Sequence, residues 1–171
     1  MELASLIRDV PDFPMKGILF RDITTLIKDA RAFHEVIDRL ATRYATEGVD
    51  VVVAIESRGF IFGAPLAYKL GAGFVPVRKS GKLPAHSISE SYTLEYGSNT
   101  LEMHQDAIQP GQRVLVVDDL LATGGSARAT INLAERLGAK VVGVAFLIEL
   151  KALQGCDKLQ GYDVQALIEY D

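Results

Sequence analysis

The sequence predicts an α/β fold, a central parallel sheet flanked by helices, and two patterns carry that prediction. Uninterrupted apolar runs such as Val51-Val52-Val53-Ala54-Ile55 and Val114-Leu115-Val116-Val117 read as strands covered on both faces. Between such runs lie segments whose apolar residues recur at helical spacing, so strand and helix alternate along the chain. At 171 residues and 18.6 kDa, with 49% hydrophobic and 23% charged residues, the chain suits one domain, 1–171, built on one core.

In chain order, Phe33, Val36, Ile37, Leu40 and Tyr44 mark a helix over 31–44, closed before Gly48, and the strand 51–55 follows. A second helix is expected over about 60–70 with Gly71 as its stop, then a short strand at 74–77. The strand 114–117 passes through Asp-Asp-Leu-Leu-Ala-Thr-Gly-Gly-Ser into a helix over about 127–137, stopped by Gly138. Residues 141–148 are another apolar strand and 164–168 a last one. The rhythm fails between 79 and 106, where Ser87, Ser89, Ser91, Thr93, Ser98, Asn99 and Thr100 leave no helical apolar stripe. Alternation over 89–96 suits a small hairpin, and so long an excursion in a compact domain reads as a lid or a disordered insert. No internal repeat or interdomain linker is visible.

Composition excludes several classes. A formal charge of −4 argues against a nucleic-acid protein, which needs a broad basic surface. The apolar stretch 59–68, between Arg58 and Lys69, falls short of the about 20 residues a membrane-spanning helix requires. The opening residues carry Glu2 and no basic flank before an apolar core, so no secretory signal is expected and the cytoplasm is the expected location. Cys156, the single cysteine, has no intramolecular disulfide partner. His34, His86 and His104 do not form a metal-ligand spacing, and no zinc site is expected.

The strongest chemical signal is the stretch 114–129. Asp118 and Asp119 fall at the carboxyl end of a predicted strand, where open parallel sheets collect ligands. Ala122, Thr123, Gly124, Gly125 and Ser126 then lead into a helix. Paired glycines let backbone N–H groups face an oxyanion, and the helix start adds partial positive charge. Carboxylates beside a phosphate need another partner, and ribose 5-phosphate supplies one: phosphate for the loop, sugar hydroxyls for the acids. The structural alternative is a turn whose aspartates cap the helix. No GxxxxGK[ST] loop is present, and Gly71-Ala72-Gly73 has Pro76 where a dinucleotide fingerprint needs its third glycine.

With those residues in view, the chain resembles the type I phosphoribosyltransferases, whose signature is two acids followed by a Thr-Gly-Gly loop. Segments 11–24, 56–63, 77–84 and 92–97 extend the resemblance over nearly the whole chain, and Phe20-Arg21-Asp22-Ile23-Thr24 with Arg78-Lys79-Ser80-Gly81-Lys82 narrow it to the members that take adenine. The resemblance implies an N-terminal hood over about 1–30, a flexible lid over about 79–106, and transfer of the 5-phosphoribosyl group from phosphoribosyl pyrophosphate to adenine. It places the ribose hydroxyls on Asp118 and Asp119 and the 5′-phosphate on residues 122–126. Pyrophosphate falls to Ser57, Arg58 and Gly59, with Arg78, Lys79 and Lys82 opposite. It assigns adenine to Leu19, Phe20, Arg21 and Leu120, and gives Glu95 a proton-transfer role on the lid. It also implies a non-proline cis peptide between Glu56 and Ser57, Mg2+ held mainly by substrate oxygens, no membrane or nucleic-acid partner, and a homodimer. Ser126 stands where many relatives have threonine, keeping the hydroxyl. Transfer to a 6-oxopurine or to orotate is the competing enzymatic reading, though 141–148 lacks the lysine that 6-oxopurine enzymes use. A non-catalytic effector-binding regulator on the same fold is the other, and 171 residues leave no room for a DNA-binding module beside this domain.

Overall fold

The computed structural model describes residues 1–94 and 96–171, and the chain forms two compact units, Met1–Arg39 and Leu40–Asp171. In the first, a 3-10 turn over Leu3–Leu6 precedes strand β1 (Arg8–Val10), which pairs antiparallel with β2 (Phe20–Asp22). Charge sets this register: Arg8 lies opposite Asp22 and Asp9 opposite Arg21, and both pairs form ion pairs. Helix α1 (Thr24–Ile27) follows, with the Asp22 carboxylate accepting from the Thr24 hydroxyl at 2.7 Å and its N–H at 2.9 Å. Those bonds, with Arg8, hold Asp22 at about 2. Helix α2 (Ala30–Tyr44) is capped by Asp29, which accepts from the Ala32 N–H at 2.9 Å, and its residues from Leu40 on belong to the second unit. Strands of three residues joined by ion pairs carry no apolar alternation, so periodicity did not reveal this hairpin.

The second unit is built on one sheet. Its strands are β3 (Val51–Ile55), β4 (Gly73–Lys79), β5 (Ser87–Thr93), β6 (Ser98–His104), β7 (Arg113–Leu121), β8 (Lys140–Leu150) and β9 (Val164–Tyr170), in the order β5-β6-β4-β3-β7-β8-β9. Strands β4, β3, β7, β8 and β9 are parallel, and the β5–β6 hairpin extends the β4 edge antiparallel. Helices α3 (Gly59–Leu70) and α4 (Gly125–Arg136) cover opposite faces. The alternation of β3 shows this directly. A Cβ on Gly63 of α3 would meet Ala54 at 2.5 Å and Val52 at 3.7 Å, whereas Val51, Val53 and Ile55 share a core with Ala127, Ile131 and Ala134 of α4. The parallel α/β sheet is therefore the predicted one.

Topology places the site. From β3 the chain winds outward to β4, and from β7 it winds the other way to β8 and β9, so the direction reverses between β3 and β7. These two strands pair only as far as Ala54 and Val117, while β7 stays paired with β8 as far as Leu121 and Glu149. The strand predicted over 114–117 thus runs on through both aspartates. The polar stretch after Lys79 also differs from a structureless insert. Strands β5 and β6 pair from Ser87–His104 to Thr93–Ser98, and Leu101 and Met103 are buried in the core. Residues 89–93 of that alternation belong to β5, and its partner strand comes after it. Among the described residues, no helix is long and apolar enough to cross a membrane.

Because Ala54 Cβ is fixed to strand backbone, a methyl at position 63 has nowhere to displace it. Gly63→Ala gains about 1 kcal/mol of helix propensity, and overpacking costs about 1–3 kcal/mol. We expect a net loss of stability, read as a lower urea midpoint at unchanged m-value.

Candidate active site

A cavity of ≈ 200 Å³ lies at the carboxyl ends of β3 and β7, where those strands part. The sequence-predicted residues Ser57, Arg58, Lys79, Asp118, Asp119 and Ser126 line it, together with Glu56 and Tyr92. Asp118 and Asp119 are 9% and 6% exposed, and with Thr130 they are the buried polar side chains of the described residues. Two adjacent carboxylates away from water repel one another. The fold answers with two devices. The Asp119 N–H donates to Asp118 Oδ1 at 2.8 Å, and Arg58 Nε donates to Asp119 Oδ2 at 2.6 Å. Burial, and then the Asp119 charge, push Asp118 well above the usual carboxylate range. Burial works against the Arg58 charge, but Asp119 outweighs it and raises the guanidinium pKa.

The loop after β3 is held in place from both sides. The Glu56–Ser57 peptide is cis, as the resemblance implied. Gly59 opens α3 against β7, where a Cβ would sit 3.0 Å from Asp118 Oδ1 and 3.1 Å from the Val117 carbonyl oxygen. The Glu56 carboxylate accepts from the Lys79 N–H at 2.9 Å and from Arg78 Nη2 at 3.1 Å, and those bonds hold its pKa below the ordinary value. Glu56 therefore joins this loop to the end of β4, where Lys79 lines the cavity and Arg78 bonds to Glu56. Lys82 contributes its carbonyl oxygen to Arg78 Nη1 at 3.3 Å, and its side chain is exposed.

Residues 122–124 connect β7 to α4, and Ser126 lies in the first helical turn, whose N–H groups have no intrahelical acceptors. Gly124 has φ 85°, and a Cβ there would sit 2.5 Å from the Gly155 carbonyl oxygen. A Cβ on Gly155 would in turn sit 2.4 Å from the Ala122 carbonyl oxygen. The loop is thus buttressed backbone to backbone by the 3-10 segment Gly155–Leu159. Ala122 and Leu120 are half-buried and Thr123 is exposed.

Sequence reasoning missed Glu56, Tyr92 and Gly155. An acid beside Ser57-Arg58-Gly59, facing a basic pair across a strand gap, was a usable signal for the first. Tyr92, whose ring lies 2.8 Å from the Cβ position of Gly125, and Gly155 carried none. In the first unit, Leu19 is exposed, Phe20 packs edge-on against Phe13 with centroids 5.1 Å apart, and Arg21 pairs with Asp9. Glu95 lies outside the described residues.

The sequence and the fold find their counterparts in known proteins. The family model described as "Phosphoribosyl transferase domain" matches residues 24–167, and the chain belongs to that family. Its near relatives narrow the class. The adenine phosphoribosyltransferase of Thermotoga neapolitana is 57% identical over 170 residues, covering 99% of this chain and 100% of its own. That of Carboxydothermus hydrogenoformans is 59% identical over 170 residues, with the same coverage. The crystal structure of the Thermoanaerobacter pseudethanolicus adenine phosphoribosyltransferase superposes with a TM-score of 0.96 at 54% identity, covering 99% of this chain and 98% of that one. Within the family, the chain belongs with the adenine phosphoribosyltransferases.

The raised pKa of Asp118 has a consequence for stability. Its native state holds a proton at pH values where the unfolded carboxyl, near 4, has lost it, so stability falls as pH rises through that window. Asp118→Asn removes the buried charge and leaves an oxygen to accept from Asp119 N–H. We expect its Tm at pH 7 to exceed that of the parent, by about 2–4 °C for each kcal/mol relieved, with the difference shrinking toward pH 4. Thermal melts across that range check it, and turnover in the variant should fall about tenfold or more.

Proposed function

We propose that this chain is a purine-salvage enzyme transferring the 5-phosphoribosyl group from phosphoribosyl pyrophosphate to adenine, giving AMP and pyrophosphate. The observation that carries the reading is one cavity that joins a buried acid pair to a helix start and a basic loop, in a chain 57% identical over 170 residues to an adenine phosphoribosyltransferase. The Saccharomyces cerevisiae adenine phosphoribosyltransferase, crystallised with adenine and a bisphosphate iminoalditol, aligns with a TM-score of 0.91 at 41% identity, covering 97% of this chain and 96% of that one.

Each group then has a task. Asp118 and Asp119 take the ribose hydroxyls in charge-assisted hydrogen bonds. Residues 122–126 bind the 5′-phosphate with backbone donors and the Thr123 and Ser126 hydroxyls. Ser57, Arg58 and Gly59 receive the pyrophosphate, with Arg78, Lys79 and Lys82 adding positive charge. A base nitrogen attacks C1′ as pyrophosphate departs, so the transition state carries cationic character on the sugar, and the acid pair stabilises it. Phe20 and Leu120 give adenine apolar surface, the backbone of Leu19 and Arg21 reads its Watson–Crick edge, and Glu95 exchanges a proton at N7.

Among the described residues no three acidic, imidazole or thiol groups gather into a metal site. Mg2+ keeps its waters and favours phosphate oxygens, and the ribose and pyrophosphate oxygens of the substrate would hold it. When bound, it neutralises charge on the leaving group.

Adenine offers an acceptor at N1 and a donor at N6, and hypoxanthine reverses both. A site built on that pairing should favour adenine by at least about a hundredfold in kcat/KM. Product formation from adenine, hypoxanthine, guanine, xanthine and orotate, each with phosphoribosyl pyrophosphate and magnesium, tests the proposal. Comparable values for adenine and hypoxanthine would contradict it.

A further inference from the structure

Arg58 has two claims on it in one small space, and their geometry is unequal. Its Nε donates to Asp119 Oδ2 at 2.6 Å, inside the cavity that the sugar is to enter. The acid is fixed, since the Asp119 side chain is 9% exposed and its residue lies in the body of β7. The base is not: the Arg58 side chain is 49% exposed on the loop before α3. Any movement that separates the pair is therefore a movement of Arg58. The other charged groups lining the cavity are Lys79, Glu56 and Asp118. Glu56 is committed to Arg78 and to the Lys79 N–H, and Asp118 has Gly59 packed against its Oδ1. Among the described residues, Arg58 is the one cation lining the cavity that bonds the acid pair.

Resting on the reading of the cavity given above, we infer that Arg58 is a selectivity device: it guards Asp119 until a diphosphate draws it away. Ribose hydroxyls are neutral. A ligand offering only those must compete with a guanidinium for Asp119, and it leaves a buried carboxylate without a counter-charge if it succeeds. Phosphoribosyl pyrophosphate carries its own exchange. Its diphosphate offers Arg58 a bidentate anionic partner as its hydroxyls take the vacated carboxylate oxygen. The ion pair that Arg58 gives up at Asp119 is replaced by one at the diphosphate only when sugar and diphosphate arrive in one molecule. Arg58 therefore discriminates the donor substrate from 5-phosphoribosyl compounds that lack the diphosphate, beyond any affinity it lends to the pyrophosphate itself.

Titration calorimetry with phosphoribosyl pyrophosphate and with ribose 5-phosphate, magnesium present throughout, tests this on the parent protein, Arg58→Met and Arg58→Gln. Both substitutions remove the charge, Met keeping an unbranched apolar stem and Gln a neutral polar end. The expected result is opposite movement: phosphoribosyl pyrophosphate binds about tenfold or more weakly, and ribose 5-phosphate binds more tightly by a similar factor, the scale of one charge-assisted hydrogen bond. In an Asp119→Asn background the gain for ribose 5-phosphate should vanish, because nothing remains to guard. Weaker phosphoribosyl pyrophosphate binding with unchanged ribose 5-phosphate binding would reduce Arg58 to a pyrophosphate ligand and overturn the inference. A loss for both ligands would do the same, since a damaged loop cannot tighten one of them. A parent protein that binds neither compound would overturn the reading of the cavity, and this inference with it.

Discussion

Two carboxylates in sequence, placed at the end of a buried strand, set the terms for the rest of the site. Strand β7 keeps its partner β8 past Asp118 and Asp119 but loses β3 after Val117, so the acids border a cavity that the sheet itself opens. Left alone, they would repel each other in a low-dielectric setting, and the Asp118 pKa records how strongly burial and Asp119 disfavour its charge. The surrounding structure is arranged around that cost. Gly59 lets α3 begin within contact of Asp118, the Asp119 N–H spans the pair, and Arg58 reaches over from the same loop. Groups costly to bury are kept where function needs them, and under the proposed function they offer a sugar two strong acceptors.

Backbone geometry likewise governs the loop 122–126, to which the proposed function gives the 5′-phosphate. The main-chain N–H groups it presents are aimed by where the chain runs and not by rotamers. Gly124 and Gly155 permit a direct backbone contact that any side chain at either position would break, and this ties the loop to a segment some thirty residues later in the chain. On the other flank, Arg136 donates to the Ser89 carbonyl oxygen at 2.7 Å and pairs with Glu90, docking the β5–β6 hairpin on α4. Tyr92 of that hairpin reaches both the cavity and Gly125. The described residues of the stretch 79–106 thus include a paired ribbon whose β6 strand is anchored by Leu101 and Met103.

What could be read from the residues alone divides along a physical line. The parallel strands were legible because burial on both faces demands uninterrupted apolar runs, and α3 and α4 because glycine stops and apolar spacing bracket them. The acid pair and the Thr-Gly-Gly loop were legible because their chemistry is local: adjacent residues, one turn, one helix start. The N-terminal hairpin was not, since three-residue strands joined by Arg8–Asp22 and Asp9–Arg21 leave no periodic trace. The site role of Glu56 was not legible, because its bonds to Arg78 and Lys79 depend on the parallel register of β3 and β4. The Gly155 buttress and the Arg58–Asp119 pair are likewise long-range contacts that exist only once the sheet has formed.

The central claim is that the buried acid pair exists to hold ribose hydroxyls. Comparing the calorimetric affinities of AMP and 2′-deoxy-AMP for the same protein preparation tests it most directly, because the two ligands share base and phosphate and differ at one ribose hydroxyl, which the proposed function gives to Asp118 and Asp119. The account predicts that AMP binds about tenfold or more tightly, the scale of one hydrogen bond to a charged acceptor. Equal affinities would contradict it.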